Sequence, residues 1–228
     1  MGLDLSENLR DAFEYSKGMA DDAGRWIALA ILGAIPILNF VAIGYAARII
    51  SEAPGSREPP RLADYMGLWT SGLKVFAACL IYMIIPMAIL GIGAFAFLGW
   101  IIGRGMMGLG PRPGWAAWPT AGFAGIALLI GIAAAFLIAI VAAMGIAHMV
   151  RTGRFVKAFA FGEIVGIIGR VGWGDYIIWL IAIFAIALIF SAIGSIPWIG
   201  WLISLILMPP FLAFVARSTG SAYASGAP

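Results

Sequence analysis

Residues 176–216 read YIIWLIAIFAIALIFSAIGSIPWIGWLISLILMPPFLAFVA, 41 positions without one charged side chain. A helix rises about 1.5 Å per residue and bilayer hydrocarbon is about 30 Å thick, so about 20 apolar residues make one crossing and this run holds two. Its middle, Gly194-Ser-Ile-Pro-Trp-Ile-Gly200, supplies turn formers and an interfacial Trp198, which divides it into crossings at Tyr176 to Ile193 and Pro197 to Ala216. Three further charge-free runs precede it, Trp26 to Ala47, Val75 to Gly103 and Pro113 to Ala147, of 22, 29 and 35 residues. The sequence therefore predicts an all-α, polytopic integral membrane protein with about five transmembrane helices.

The composition agrees. Of 228 residues 63% are hydrophobic and 11% charged, against about a quarter charged in a soluble domain, so neither a hydrated shell nor a nucleic-acid-binding surface can be built. Cys79 is the single cysteine and His148 the single histidine, which excludes a disulfide framework and a Cys- or His-rich metal site; no metal or cofactor is expected. A charged stretch from Asp4 to Arg25 precedes the first run, without the order of a signal peptide, and that run reads as retained.

The first run is interrupted. Pro36 removes a helix donor and Asn39 places an amide where lipid offers no partner, so this helix is expected to be broken or re-entrant. With five full crossings Lys and Arg divide five against nine; with a re-entrant first run they divide twelve against two. Re-entrant backbone must be covered by protein and each arm would be about 16 Å long, which favours the kinked full crossing. Both arrangements put the basic loops around Arg48 to Lys74 and Arg151 to Arg170, and the C-terminus, in the cytoplasm of a prokaryote with the chain in its plasma membrane.

Three segments read as interfacial helices. In the first, Leu5, Leu9, Ala12, Phe13 and Ser16 share one side and Glu7, Arg10, Asp11, Glu14 and Lys17 the other, with Asp4 and Glu7 placed as a capping box. The second runs near Asp64 to Lys74 and the third from Phe155 to Gly172. The organisation follows: an amphipathic segment over 1–25, one transmembrane domain over 26–217 with loosely repeated halves 26–103 and 113–217, and a short polar tail over 218–228.

Ile35-Pro-Ile-Leu-Asn-Phe40, Gly44-Tyr-Ala-Ala-Arg48, Trp69-Thr-Ser-Gly-Leu-Lys74 and Leu80-Ile-Tyr82 stand in order, followed by Phe161-Gly-Glu163, Gly172-Trp-Gly-Asp-Tyr176, Ile196-Pro197 and Pro210-Phe-Leu-Ala-Phe214. This order resembles an uncharacterised prokaryotic, largely archaeal membrane family of unknown function numbered four-zero-one-three. The resemblance implies several transmembrane helices in a small protein and carries over no substrate, cofactor or catalytic residue.

Ionisable groups at membrane depth are functional candidates because burying one in hydrocarbon is costly. Lys74, Arg104, His148, Arg151, Asp175 and Arg217 stand at run ends and read as interfacial anchors. Pro36 and Asn39 are the first candidate transport or binding positions, since a broken helix exposes backbone groups to a substrate or ion. Glu163 and Arg170 are the second, seven apart on one helix stripe, as an ion pair, a shared site or a plain polar stripe. Ala127, Gly131 and Ala135 form a small-residue face for a neighbouring span or for a homo-oligomer. Gly105, Gly108 and Gly110 follow no strand and carry no lysine, which argues against phosphate binding there.

These residues point to a structural or accessory membrane component, docking membrane lipids or a membrane-protein partner and no nucleic acid. The alternative is a small transporter or channel built on the break at Pro36 to Asn39. An enzyme is not expected, since His148 and Asp175 are its only plausible acid-base pair.

Overall fold

A computed structural model of the chain describes residues 3–106 and 114–227. Gly108, Gly110 and Arg112 lie outside the described residues. Among the described residues eight helices follow one another: α1 (Leu5–Lys17), α2 (Ala23–Ala34), α3 (Asn39–Glu52), α4 (Tyr65–Met106), α5 (Gly114–Thr152), α6 (Phe161–Val171), α7 (Trp173–Gly194) and α8 (Gly200–Gly226). Short 3-10 turns occupy Gly18–Asp21 and Phe155–Phe159, and no strand occurs among the described residues. Four of these helices, α4, α5, α7 and α8, are long and apolar enough to cross a membrane. Large apolar side chains such as Ile84, Leu129, Phe184 and Leu188 stand exposed along them, a surface stable in lipid and not in water.

The chain forms two compact units, one of residues up to Ala78 together with those from Ile140 on, the other Cys79–Ala139. In the second unit α4 and α5 approach through small residues. A Cβ added at Gly93 would lie 2.6 Å from the Ala127 Cβ, and one at Gly131 would lie 2.5 Å from the Leu90 side chain. The small-residue face expected to serve a neighbour or a second copy is thus occupied, at Ala127 and Gly131, by α4 of the same chain. Close approach of this kind is what small residues provide where lipid gives helices no hydrophobic incentive to associate.

In the first unit the first hydrophobic run corrects the expected kinked crossing. Asn39 and Pro36 split it into α2 and α3, 12 and 14 residues long, which pack against each other. Arg25, in the first turn of α2, donates through Nη1 to the Pro59 carbonyl at 2.9 Å, and Tyr45 of α3 donates to the Pro60 carbonyl at 2.8 Å. The start of α2 and the loop after α3 are therefore held together, and the chain leaves this hairpin on the side where it entered. Residues 34–38 at its tip are exposed, and two tryptophan side chains tie the hairpin to its neighbours. Trp26 Nε1 donates to the Ile206 carbonyl of α8 at 2.6 Å, and Trp69 Nε1 of α4 donates to the Ile37 carbonyl in the break at 3.0 Å. Gly44 and Gly72 let α3 and α4 touch backbone to backbone: a Cβ on Gly44 would meet the Leu68 carbonyl oxygen at 1.8 Å, and one on Gly72 the Phe40 carbonyl oxygen at 1.9 Å.

Two expected boundaries also move. Asp64 to Lys74 is not a separate interfacial helix: Asp64 caps α4, accepting the Gly67 N–H at 3.1 Å, and the segment continues into the long helix. The expected polar tail from 218 is the last part of α8. Ser218, Thr219, Gly220, Ala222 and Tyr223 are buried there because α1, α3 and α6 pack around this end of the helix.

The remaining interfacial helices are present and dock on the chain itself. Asp4 caps α1 by accepting the Glu7 N–H at 3.1 Å. The stripe α1 buries is Asn8, Ala12, Tyr15 and Ser16, whereas Phe13, read on the same side as Ala12 and Ser16, stays 55% exposed under Lys17. Phe155 to Gly172 forms the second 3-10 turn and α6, which ends at Gly172 with φ 100, a backbone that only glycine adopts without strain.

Candidate functional site

Two polar assemblies emerge on the side of the first unit where the hairpin begins and ends. The first surrounds the C-terminal turns of α8. Arg217, 4% exposed, donates to Asp11 of α1 through Nε at 2.7 Å and Nη2 at 3.2 Å, and to the Ser56 and Pro54 carbonyls at 2.6 and 3.1 Å. The guanidinium also lies 4.7 Å from the Tyr15 ring centroid, and burial pushes the Tyr15 phenol up to about 12. At the next residue of α8, Trp179 Nε1 donates to Ser218 Oγ at 2.8 Å, and Ser218 donates to Asn8 Oδ1 at 2.5 Å.

Farther along α8, Tyr223 and His148 of α5 lie 2.8 Å apart, hydroxyl to Nδ1, and His148 Nε2 lies 2.8 Å from Glu163 Oε2. With a neutral ring, every atom is satisfied when Tyr223 donates to Nδ1 and Nε2–H donates to the carboxylate. Lys157 donates to the other oxygen of Glu163. That bond first, and the His148 bond second, hold the Glu163 carboxyl below the usual carboxylate range. A carboxylate, an imidazole and a hydroxyl in line resemble a hydrolytic relay, but Tyr223 is buried against Ile167, Val171 and their neighbours in the apolar core. The relay joins α5, α6 and α8. Both ring nitrogens are taken, and neither bonds Asp175, the partner expected for acid-base work.

Glu163 and Arg170 do not form the expected pair or shared site. Glu163 begins α6 and turns to His148 and Lys157; Arg170 stands in its last turn and donates through Nε to the Gly226 carbonyl at 2.6 Å, closing the end of α8. An acid at the start of a helix and a base at its end suit the helix dipole. Pro36 and Asn39 remain apart from both. Pro36 is exposed in the break, and Asn39 Oδ1 is buried without a hydrogen-bond partner. The fold therefore brings His148 to Glu163, which the sequence left in separate arguments, and separates Glu163 from Arg170, which the sequence joined.

The second assembly was not expected from sequence. A cavity of about 450 Å³ opens between α3, the start of α4 and the end of α5, lined among others by Arg48, Ser51, Asp64, Ser71, Lys74 and Phe155. Its signal was available: Arg48 and Lys74 belong to the first basic loop, and small residues at Gly44, Ala47 and Gly67 leave the space between them. Their convergence depends on the hairpin turning back.

A family model described as a protein of unknown function (DUF4013) matches residues 28–199, a span that takes in the hairpin, both basic segments and the turn before α8. No curated protein and no solved structure is detectably similar to the chain.

Proposed function

Since the chain belongs to the DUF4013 family, whose description states no function, we propose its role from its own geometry: a non-enzymatic structural or accessory component of a membrane. One observation carries this reading. The ionisable side chains around the end of α8, Asp11, His148, Glu163, Arg170 and Arg217, are engaged in tying α1, the 53–60 loop, α5, α6 and α8 into one cap, with no substrate cavity reaching the His148 relay among the cavities described. Such a cap suits docking better than turnover.

In the same reading the cap faces the cytoplasm of a prokaryotic cell. A hairpin that turns back leaves twelve of the fourteen Lys and Arg on the cap side, and cytoplasmic segments are the ones enriched in these residues. The test is purification of the full chain in mild detergent. A stoichiometric membrane-protein partner supports the accessory role, and solute flux through proteoliposomes of the pure protein contradicts it.

A second reading, a small transporter using the break at Pro36 to Asn39, has the unpartnered Asn39 Oδ1 behind it, because a buried acceptor without a donor is costly and marks strained or ligand-accepting places. In that case Asn39→Leu abolishes flux; under the accessory role it leaves partner retention intact.

A further inference from the structure

We propose that the cavity between α3, α4 and α5 binds the phosphate of an anionic phospholipid headgroup, with Arg48 and Lys74 as the binding cations. Four observations converge. Lys74 makes no ion pair or hydrogen bond among the described residues, and it lines the cavity from the third turn of a helix long enough to cross the membrane. Arg48 engages Glu52 only through Nε at 3.2 Å, which leaves its terminal amino groups free to fork onto a phosphate. Ser71 adds a hydroxyl with no partner among the described residues, while the hydroxyl of Ser51 is turned to the Arg48 carbonyl. The N-terminus of α4 opens on the same cavity, and its dipole favours an anion there.

The opposing charges are two. Glu52 is paired with Arg48, and Asp64 is turned onto the Gly67 N–H as the cap of α4. Arg151, beside the cavity wall, is anchored through Nη1 on the Ser51 and Ala53 carbonyls at 2.6 and 2.7 Å and adds to the positive field. The cavity's size, about 450 Å³, suits a headgroup, and Leu73 and Phe76, flanking Lys74 in sequence, are exposed apolar side chains of the kind acyl chains cover. A phosphate could also arrive free in solution; the membrane helix that carries Lys74 favours the lipid. The inference goes beyond the accessory role and does not require it.

The test is native mass spectrometry of the full chain, titrated in detergent with phosphatidylglycerol, with phosphatidylcholine and with inorganic phosphate. The expected result is preferential retention of phosphatidylglycerol, weakened about fivefold by Lys74→Gln and about thirtyfold by Arg48→Gln with Lys74→Gln, since each cation at a headgroup contributes a factor of about five. Arg57→Gln, on an exposed loop outside the cavity, leaves retention unchanged. Because Lys74 has no hydrogen bond or ion pair to lose among the described residues, K74Q folds as the parent does and keeps the test readable if the double variant does not. Equal retention of the two lipids, a K74Q variant that binds as tightly as the parent, or an R57Q loss equal to that of K74Q overturns the site; displacement of the lipid by inorganic phosphate overturns its assignment to lipid. Co-purification of a partner is read separately and is unaffected by these outcomes.

Discussion

Arg217 near the end of α8 forks onto Asp11 of α1 across 206 residues of sequence, through bonds of 2.7 and 3.2 Å, with its side chain only 5% exposed and that of Asp11 44% exposed. The asymmetry decides which partner matters more. Asp11 can be solvated when alone; the buried Arg217 guanidinium cannot. We expect Arg217→Gln to lower stability by about 2 to 3 kcal/mol, the range for hydrogen bonds to a charged group, and Asp11→Asn by about 1 kcal/mol. Thermal unfolding in detergent, followed by tryptophan fluorescence, measures both; equal losses would mean that the pair and not the carbonyl contacts dominates.

Acidification should loosen the α5, α6 and α8 junction. The Glu163 carboxyl is held below its ordinary value of 4.5 in the folded chain, so its stabilising effect is complete above that value and is lost as pH falls through the lower folded value. As pH falls below 4.5 the parent should therefore lose thermal stability more steeply than Glu163→Gln, which has no proton to take up there. Parallel slopes for the two proteins would show that Glu163 is not linked to folding.

The backbone contact of α3 with α4 leaves no room for a methyl group. Gly44→Ala and Gly72→Ala would each force a Cβ to within 2 Å of a carbonyl oxygen, at 1.8 and 1.9 Å, so the helices must separate. Overpacking of this kind costs about 1 to 3 kcal/mol, and the two substitutions should not be additive, because the first already opens the contact needed by the second. Gly91→Ala, at a position with nothing within 4 Å, serves as the silent control.

The two breaks share one strained conformation. Ile37 has φ 74 and Trp198 φ 70, a left-handed backbone that costs an ordinary residue about 1 to 2 kcal/mol. Ile37 is 66% exposed, so Ile37→Gly gives up little packing and should raise stability by about 0.5 kcal/mol after the entropic cost of glycine. A drop in melting temperature would show that the Ile37 side chain is held by contacts it does not make in the isolated chain.

Those two breaks also show what the sequence could and could not tell. The membrane class, the capped α1 and the interruption at Pro36 follow from hydropathy, capping residues and one proline, all local signals. The structure adds a likeness between Ile35-Pro-Ile-Leu-Asn-Phe40 and Ile196-Pro-Trp-Ile-Gly-Trp201. In both, the first residue of the next helix donates back to the isoleucine carbonyl, Asn39 to Ile35 at 3.0 Å and Gly200 to Ile196 at 2.9 Å, so the two turns share one geometry.

What sequence could not give was direction after the break. A kinked crossing and a hairpin bury the same residues in lipid; they differ in whether Arg25 meets Pro59, a contact 34 residues apart that no periodicity encodes. The pairing of His148 with Glu163 and the meeting of Arg48 with Lys74 depend on that same tertiary arrangement. The polar residues after Ala216 were misread for a related reason: Ser218 and Thr219 look like a solvated tail until α1 and α6 are placed around them.

The hairpin is the claim on which the rest depends, and accessibility labelling measures it most directly. With Cys79 replaced, single cysteines are introduced at Arg10 in α1, Arg57 in the loop after α3 and Trp198 in the turn between α7 and α8, all exposed positions, in sealed vesicles of known orientation. The account predicts that Arg10→Cys and Arg57→Cys react with an impermeant reagent from one side and Trp198→Cys only from the other. Reaction of Arg10→Cys together with Trp198→Cys, opposite to Arg57→Cys, would mean that the first run crosses the membrane and would contradict it.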